Sequence, residues 1–140
     1  MSESLPEYNE YVNAVFENRL EDAKQHLIEA IKTAKERDAL PVLAGIAGRF
    51  GSILLKQGDK FGAIAFYELS EELDRKSLLP KLEYAKFLLR ELGDKNKSIS
   101  KCKEIIAIAS ANPFLESDDD FSSDEYIEAT QKVLDEANEI

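Results

Sequence analysis

Two side chains in this 140-residue chain, His26 and Cys102, are of the types on which nucleophilic and metal-assisted catalysis most often rest, and each is the sole residue of its kind. One histidine with no paired Cys, Asp or Glu at ligand spacing makes no metal site, so His26 reads as a surface or half-buried helix residue. Cys102 lies in an apolar helical run and reads as an inert core thiol. A single cysteine also excludes an internal disulfide and fits a reducing compartment. Gly45, Gly48 and Gly51 fall three apart, but a nucleotide-binding fingerprint needs another spacing and a preceding strand. The run from Asp118 to Asp124 lacks the glycine and the terminal Glu of an EF-hand loop. Carboxylates are plentiful, yet they fall mostly on helix faces that water can solvate. No catalytic residue, metal ligand or cofactor is therefore expected, and the chain is not expected to be an enzyme.

The elements that could position a binding surface are helices. Tyr8, Tyr11, Val12, Val15 and Phe16 recur at helical spacing from about Glu7 to Asn18. A second helix over about Glu21 to Arg37 has Ala23, Leu27, Ala30, Ile31 and Ala34 as its stripe, and a third covers about Ala39 to Gln57. Lys60 to Arg75, Leu78 to Leu92 and Lys95 to Ala109 follow. Ser77 is expected to cap the fifth, with Pro80 in its first turn. Ser122-x-x-Glu125 reads as a capping box that opens a last helix running to about Asn138.

These helices repeat. Gly58-Asp59 returns as Gly93-Asp94, 35 residues later. In each pair Gly can end one helix in the left-handed conformation and Asp can accept from the N–H groups that open the next. Pro6, Pro41, Pro80 and Pro113 are spaced by 35, 39 and 33 residues and mark joints between hairpins. One helix–turn–helix per period in the thirties implies a solenoid.

Phe50-Gly51-x-x-Leu54 followed by Ala63-x-x-x-Tyr67 resembles the tetratricopeptide repeat motif, with Leu54 in place of the usual aromatic. Ala23-x-x-x-Leu27-x-x-Ala30 resembles its second-helix half, and Ser98-x-x-x-Cys102 is a worn copy. Ala23 and Ala63 are 40 residues apart, similar to the longer repeats of kinesin-light-chain-like proteins. The expectation is an all-α, TPR-like solenoid of about three helix-turn-helix repeats (7–37, 39–75 and 77–110, within 1–112). An acidic loop (113–122) and a C-terminal capping helix (123–140) complete it.

The resemblance implies that the first, third and fifth helices line a concave groove. It would present Tyr8, Asn9, Val12 and Phe16, then Arg49, Ser52 and Lys56, then Tyr84, Phe87 and Arg90. Aromatic anchors with arginines are what binding hot spots use, and the bases suit an acidic or C-terminal peptide. Only Asn9 resembles the family's carboxylate-clamp positions, so chaperone tails are not the expected ligand. The three glycines inside one helix cost roughly 3 kcal/mol relative to alanine. Gly51 matches the family's small position, where the helices of one repeat pack closely. For Gly45 and Gly48 two readings stay open: close contact with the first helix or a frayed start, or a groove floor that admits a partner's backbone.

Net charge is −10 and uneven. From Phe114 to Ile140 there are ten acids and one base, Lys132, so the repeat body is close to neutral. The segment disfavours nucleic acid and favours a basic neighbour. The expected function is an adaptor or chaperone-like protein–protein interaction module holding a partner peptide or helix in the groove. The alternative is a small acidic inhibitor or immunity-type protein whose C-terminal segment covers a basic partner. A third reading has that segment occupying the groove until a partner displaces it. A homodimer is allowed, and neither nucleic acid nor membrane is an expected partner. Met1 to Pro6 has neither the basic region nor the apolar core of a signal peptide. The longest apolar run reads as well short of a membrane span of ~20 residues, and a cytoplasmic location is expected.

Overall fold

The structure, a computed structural model, describes residues 6–34, 39–112 and 122–139. Among them the chain is all-α, with seven helices and no strand. These are α1 (Pro6–Phe16), α2 (Leu20–Thr33), α3 (Ala39–Lys56), α4 (Lys60–Leu73), α5 (Leu78–Arg90), α6 (Lys95–Ala111) and α7 (Ser123–Asn138). The seven expected helices are present with shifted ends: α1 stops at Phe16, α2 at Thr33 and α5 at Arg90, while α6 continues to Ala111. The end expected for the second helix and most of the acidic loop, 113–121, lie outside the described residues. The chain divides into two compact units, Met1–Leu43 and Ala44–Ile140.

In the first unit α1 and α2 pack as a hairpin. Tyr11 and Ala14 of α1 are buried, as are Ala23, Leu27 and Ala30 of α2. The turn holds an unanticipated feature: Asn18 has φ 57°, the left-handed conformation that Gly58 (86°) and Gly93 (67°) also adopt. Asn18 precedes Gly58 by 40 residues, the offset that separates Ala23 from Ala63. It is therefore the first unit's counterpart of the Gly-Asp turns, and Asn is the residue after Gly that tolerates this region best. Arg19 stands where the other turns have Asp and cannot cap. Its guanidinium instead binds Glu17 and Asp22, at 3.1 and 2.8 Å.

In the second unit the Gly-Asp pairs do what was expected of them. Asp59 accepts from Gly62 N at 2.8 Å, and Asp94 from Lys97 N at 3.1 Å. Asp59 N donates to Leu54 O at 2.9 Å, satisfying a carbonyl at the end of α3. The capping box of Ser122 and Glu125 is also formed. Ser77 differs from expectation: it occupies the N-cap position of α5 but its hydroxyl makes no capping bond. The preceding turn is held by Asp74, whose carboxylate accepts from Lys76 N at 3.0 Å.

The second-helix register recurs. Ala63, Tyr67 and Ser70 of α4 are buried at the same spacing as Ser98, Cys102 and Ile105 of α6, and as Tyr126, Thr130 and Val133 of α7. Two buried hydroxyls tie hairpin partners together: Ser70 Oγ donates to Ala44 O at 2.7 Å, and Ser98 Oγ to Ala85 O at 2.8 Å. The Phe50 ring meets Phe66 edge-on, with centroids 4.9 Å apart. A larger cluster joins Leu82, Ala85 and Leu89 of α5 to Cys102 and Ile105 of α6 and to Tyr126, Val133 and Ala137 of α7. One face of α7 thus covers α5 and α6, while Asp124, Glu128 and Asp135 remain exposed.

The glycines of α3 separate cleanly. A Cβ on Gly51 would meet Ala63 O at 3.2 Å and the Tyr67 ring at 3.3 Å, the close approach expected within a hairpin. A Cβ on Gly48 would lie 2.5 Å from Pro80 Cβ, whereas one on Gly45 would meet nothing within 4 Å. Gly48 therefore seats the proline of α5. Neither reading entertained for it from sequence, an open groove floor or contact with the first helix, accounts for that contact. At 18 residues, α3 is also long and apolar enough to cross a membrane by length and composition, which corrects the expectation of no such run. Half of that window is buried within the protein.

Candidate partner-binding surfaces

Six of the ten expected groove residues belong to the second unit. Arg49 and Lys56 project into solvent from α3, with half-buried Ser52 between them at helical spacing. Neither cation makes an ion pair among the described residues. Ser52 Oγ and Tyr67 Oη are 2.6 Å apart, so that hydroxyl pair lies beneath the α3 cations. On α5 the geometry differs from expectation. Arg90 is exposed, but Tyr84 and Phe87 are 1% and 2% exposed and cannot be surface anchors. Their rings form an aromatic stack with Tyr67, at centroid distances of 5.3 Å for Tyr84 and 5.9 Å for Phe87.

The reason is that α5 is covered on two sides, by α4 on one and by α6 and α7 on the other. Along α5 Leu79, Glu83 and Lys86 are partly exposed and Arg90 exposed, so of the expected face only Arg90 is accessible. Lys86 lies 3.5 Å from Glu83. Arg90 makes a two-pronged contact with Glu136 of α7, Nε to Oε2 at 3.1 Å and Nη2 to Oε1 at 3.0 Å. That pairing raises the Arg90 pKa and lowers that of Glu136. The remaining four residues belong to the first unit. Tyr8 is half-buried and stacks on Tyr11 at 6.2 Å, Asn9 is exposed, Val12 is half-buried and Phe16 is 87% exposed.

A second feature was not anticipated: a cleft of about 390 Å³ between α4, α5 and α6. Glu68, Glu71 and Glu72 form its α4 wall, with Arg75 just beyond that helix. Lys81 and Tyr84 form the floor from α5, and Lys97, Lys101 and Glu104 the α6 wall. Lys81 is 1% exposed, with its ammonium 3.1 Å from Glu104 and 3.6 Å from Glu71. Burying such a charge is tolerable only with paired carboxylates. Lys101 crosses to Glu71 at 2.6 Å. Tyr84 Oη donates to Glu68 and accepts from Lys97, both at 3.3 Å, and two ammoniums, Lys97 and Lys101, lie about 5.5 Å from its ring centroid. The sequence signal for this cleft was weak: a lysine inside an apolar stripe, and acids and bases at i, i+4 spacing on two separate helices.

The single thiol is accounted for locally. Cys102 is buried, and burial raises its thiol pKa, against a smaller lowering by Ser98. Such a thiol stays protonated and unreactive. Among the described residues no group of three or more His, Cys, Asp or Glu side chains is placed to hold a metal. Comparison of the chain with protein-family models, curated proteins and solved structures gives no match.

Proposed function

We propose that the chain is a protein–protein interaction module, adaptor or chaperone-like in kind, with its hairpins arranged as a TPR-like solenoid. Its α3–α5 face receives an acidic, extended segment of a partner. The arrangement is supported by the recurring buried triplets and by three left-handed turns at repeat-length intervals. One observation carries the binding reading: Arg49 and Lys56 stand exposed and without ion pairs among the described residues, on a protein of net charge −10. Exposed cations on an acidic protein steer and orient an acidic ligand. The test is fluorescence anisotropy with labelled acidic peptides and charge-neutral counterparts. The expected result is selective binding of acidic peptides that weakens with salt and falls at least tenfold in Arg49→Glu/Lys56→Glu. Unchanged affinity in that variant would refute the assignment.

The acidic-inhibitor reading is favoured by a separate observation: the outward face of α7 exposes Asp124, Glu125, Glu128 and Asp135 with one base, Lys132. Deleting the segment would strip Tyr126, Val133 and Ala137 from the core. The clean test is therefore Asp124→Asn/Glu128→Gln/Asp135→Asn, with binding to a basic polypeptide expected to drop and to lose its salt dependence.

A further inference from the structure

We propose that Glu136 of α7 autoinhibits the α3–α5 face by holding Arg90, and that an acidic partner segment displaces it. The inference rests on the assignment of that face to an acidic ligand and adds its regulation. Arg49, Ser52 and Lys56 of α3 and Glu83, Lys86 and Arg90 of α5 share one spacing, i, i+3 and i+7, and each α5 residue follows its α3 counterpart by 34 positions. Such a trio lies within about 60° on one side of its helix. The helices touch where Gly48 seats Pro80. Tyr67 links them, its hydroxyl meeting Ser52 and its ring packing on Tyr84 and Phe87. The Glu83 charge is felt at both the Tyr67 hydroxyl and Arg90. Arg90 is thus the α5 counterpart of Lys56, on the same face.

The cations of the two stripes are not equally available. Arg49 and Lys56 make no ion pair among the described residues, and Lys86 lies 3.5 Å from Glu83 of its own stripe. Arg90 is the one that a different helix neutralises. Glu136 accepts from its Nε and Nη2 at 3.1 and 3.0 Å, one bond to each carboxylate oxygen. A partner carboxylate would use the same two-pronged geometry, so Glu136 stands where the ligand's acid would stand.

Release costs little. The Arg90 and Glu136 side chains are 50% and 42% exposed, and an exposed pair contributes little because water and salt screen it. α7 does not depend on the pair for its place, since Tyr126, Val133 and Ala137 hold it in the core. Glu136 can therefore turn into solvent while the helix stays docked. An acidic segment already held by Arg49 and Lys56 brings its next carboxylate to Arg90 at high effective concentration. One carboxylate replaces another, and the face then offers three cations to the partner in place of two.

The test is fluorescence anisotropy of the full chain with a labelled oligoglutamate peptide, and oligoglutamine as the neutral counterpart. Glu136→Gln, checked for retained helicity by circular dichroism, should bind oligoglutamate roughly two- to fivefold more tightly than the wild type. Glu139→Gln removes the same charge one turn further along α7, from an exposed residue with no ion pair among the described residues, and should change affinity much less. The gain should vanish in Glu136→Gln/Arg90→Gln, because it acts through the arginine. The proposal is overturned by unchanged or weaker binding in Glu136→Gln, by an equal gain in Glu139→Gln, or by a gain that persists without Arg90. If the wild type binds and loses affinity in Arg49→Glu/Lys56→Glu while Glu136→Gln is silent, the autoinhibitory contact falls and the acidic-ligand face stands. If neither the wild type nor Glu136→Gln binds oligoglutamate, both fall.

Discussion

Gly45 and Gly48 sit three residues apart in α3, and the same substitution at each should change stability in opposite directions. Replacing a helical glycine by alanine gains about 1 kcal/mol from the unfolded chain's lost freedom and the better helix former. At Gly45 nothing opposes that gain, because a Cβ meets no atom within 4 Å. At Gly48 the added carbon would fall 2.5 Å from Pro80 Cβ and 2.6 Å from Pro80 Cγ, roughly 1 Å inside ordinary carbon contact. A proline ring cannot swing aside, so α3 and α5 must part, and overpacking of this kind costs about 1–3 kcal/mol. The helix-forming term is common to both, so the two variants should differ by about 1–3 kcal/mol, with Gly45→Ala the more stable. Thermal unfolding followed by far-ultraviolet circular dichroism resolves this, since about 1 kcal/mol moves Tm by roughly 2–8 °C at this size. Equal stability of the two variants would refute the account of α3–α5 contact.

Gly58→Ala and Gly93→Ala, at φ 86° and 67°, should each destabilise by about 1–2 kcal/mol, while Asn18→Gly at φ 57° should be neutral or slightly stabilising in a denaturant titration. Burial raises the pKa of Tyr67 and Tyr84, so the folded protein keeps phenol protons that the unfolded chain loses above pH about 10. Their stabilising contribution is intact below that pH and is lost as pH rises through the folded values, so Tyr67→Phe or Tyr84→Phe should remove a late phase from an ultraviolet phenol titration. Arg90 depresses the pKa of Glu136, so their mutual stabilisation is present above the ordinary glutamate range and disappears as pH falls through the folded value. In Arg90→Ala the Glu136 carboxyl, followed by NMR, should titrate higher.

Much of the architecture was legible because its signals are local. Helix existence follows from apolar residues three and four apart, and turns follow from Gly-Asp and from Ser122-x-x-Glu125, all within one or two turns of chain. The turn at Asn18 was legible in principle: its 40-residue offset from Gly58 repeats that of Ala23 from Ala63. It was missed because Asn-Arg lacks the Gly-Asp wording. Ser77 carried the right residue type for a cap, yet its hydroxyl is unused.

The candidate surfaces were harder to read, and α5 shows why. Its apolar residues occupy two faces, and periodicity alone does not say which is covered by a neighbour. Arg49 and Lys56 are exposed, with half-buried Ser52 between them, because α3 has one polar stripe. Tyr84 and Phe87 are buried, because the Tyr67 ring of α4 claims the side that would otherwise be groove.

Sequence by itself determined that this chain forms helices, where they turn, and which stripe of most of them is apolar, since each depends on backbone sterics and spacing within a few residues. Tertiary structure alone decided that Pro80 fills the space of Gly48 and that Arg90 meets Glu136. It alone placed Lys81 in the protein interior between Glu71 and Glu104. A charged side chain's environment is set by groups tens of residues away in sequence, and only packing brings those groups within the few ångströms over which their charges and hydrogen bonds act.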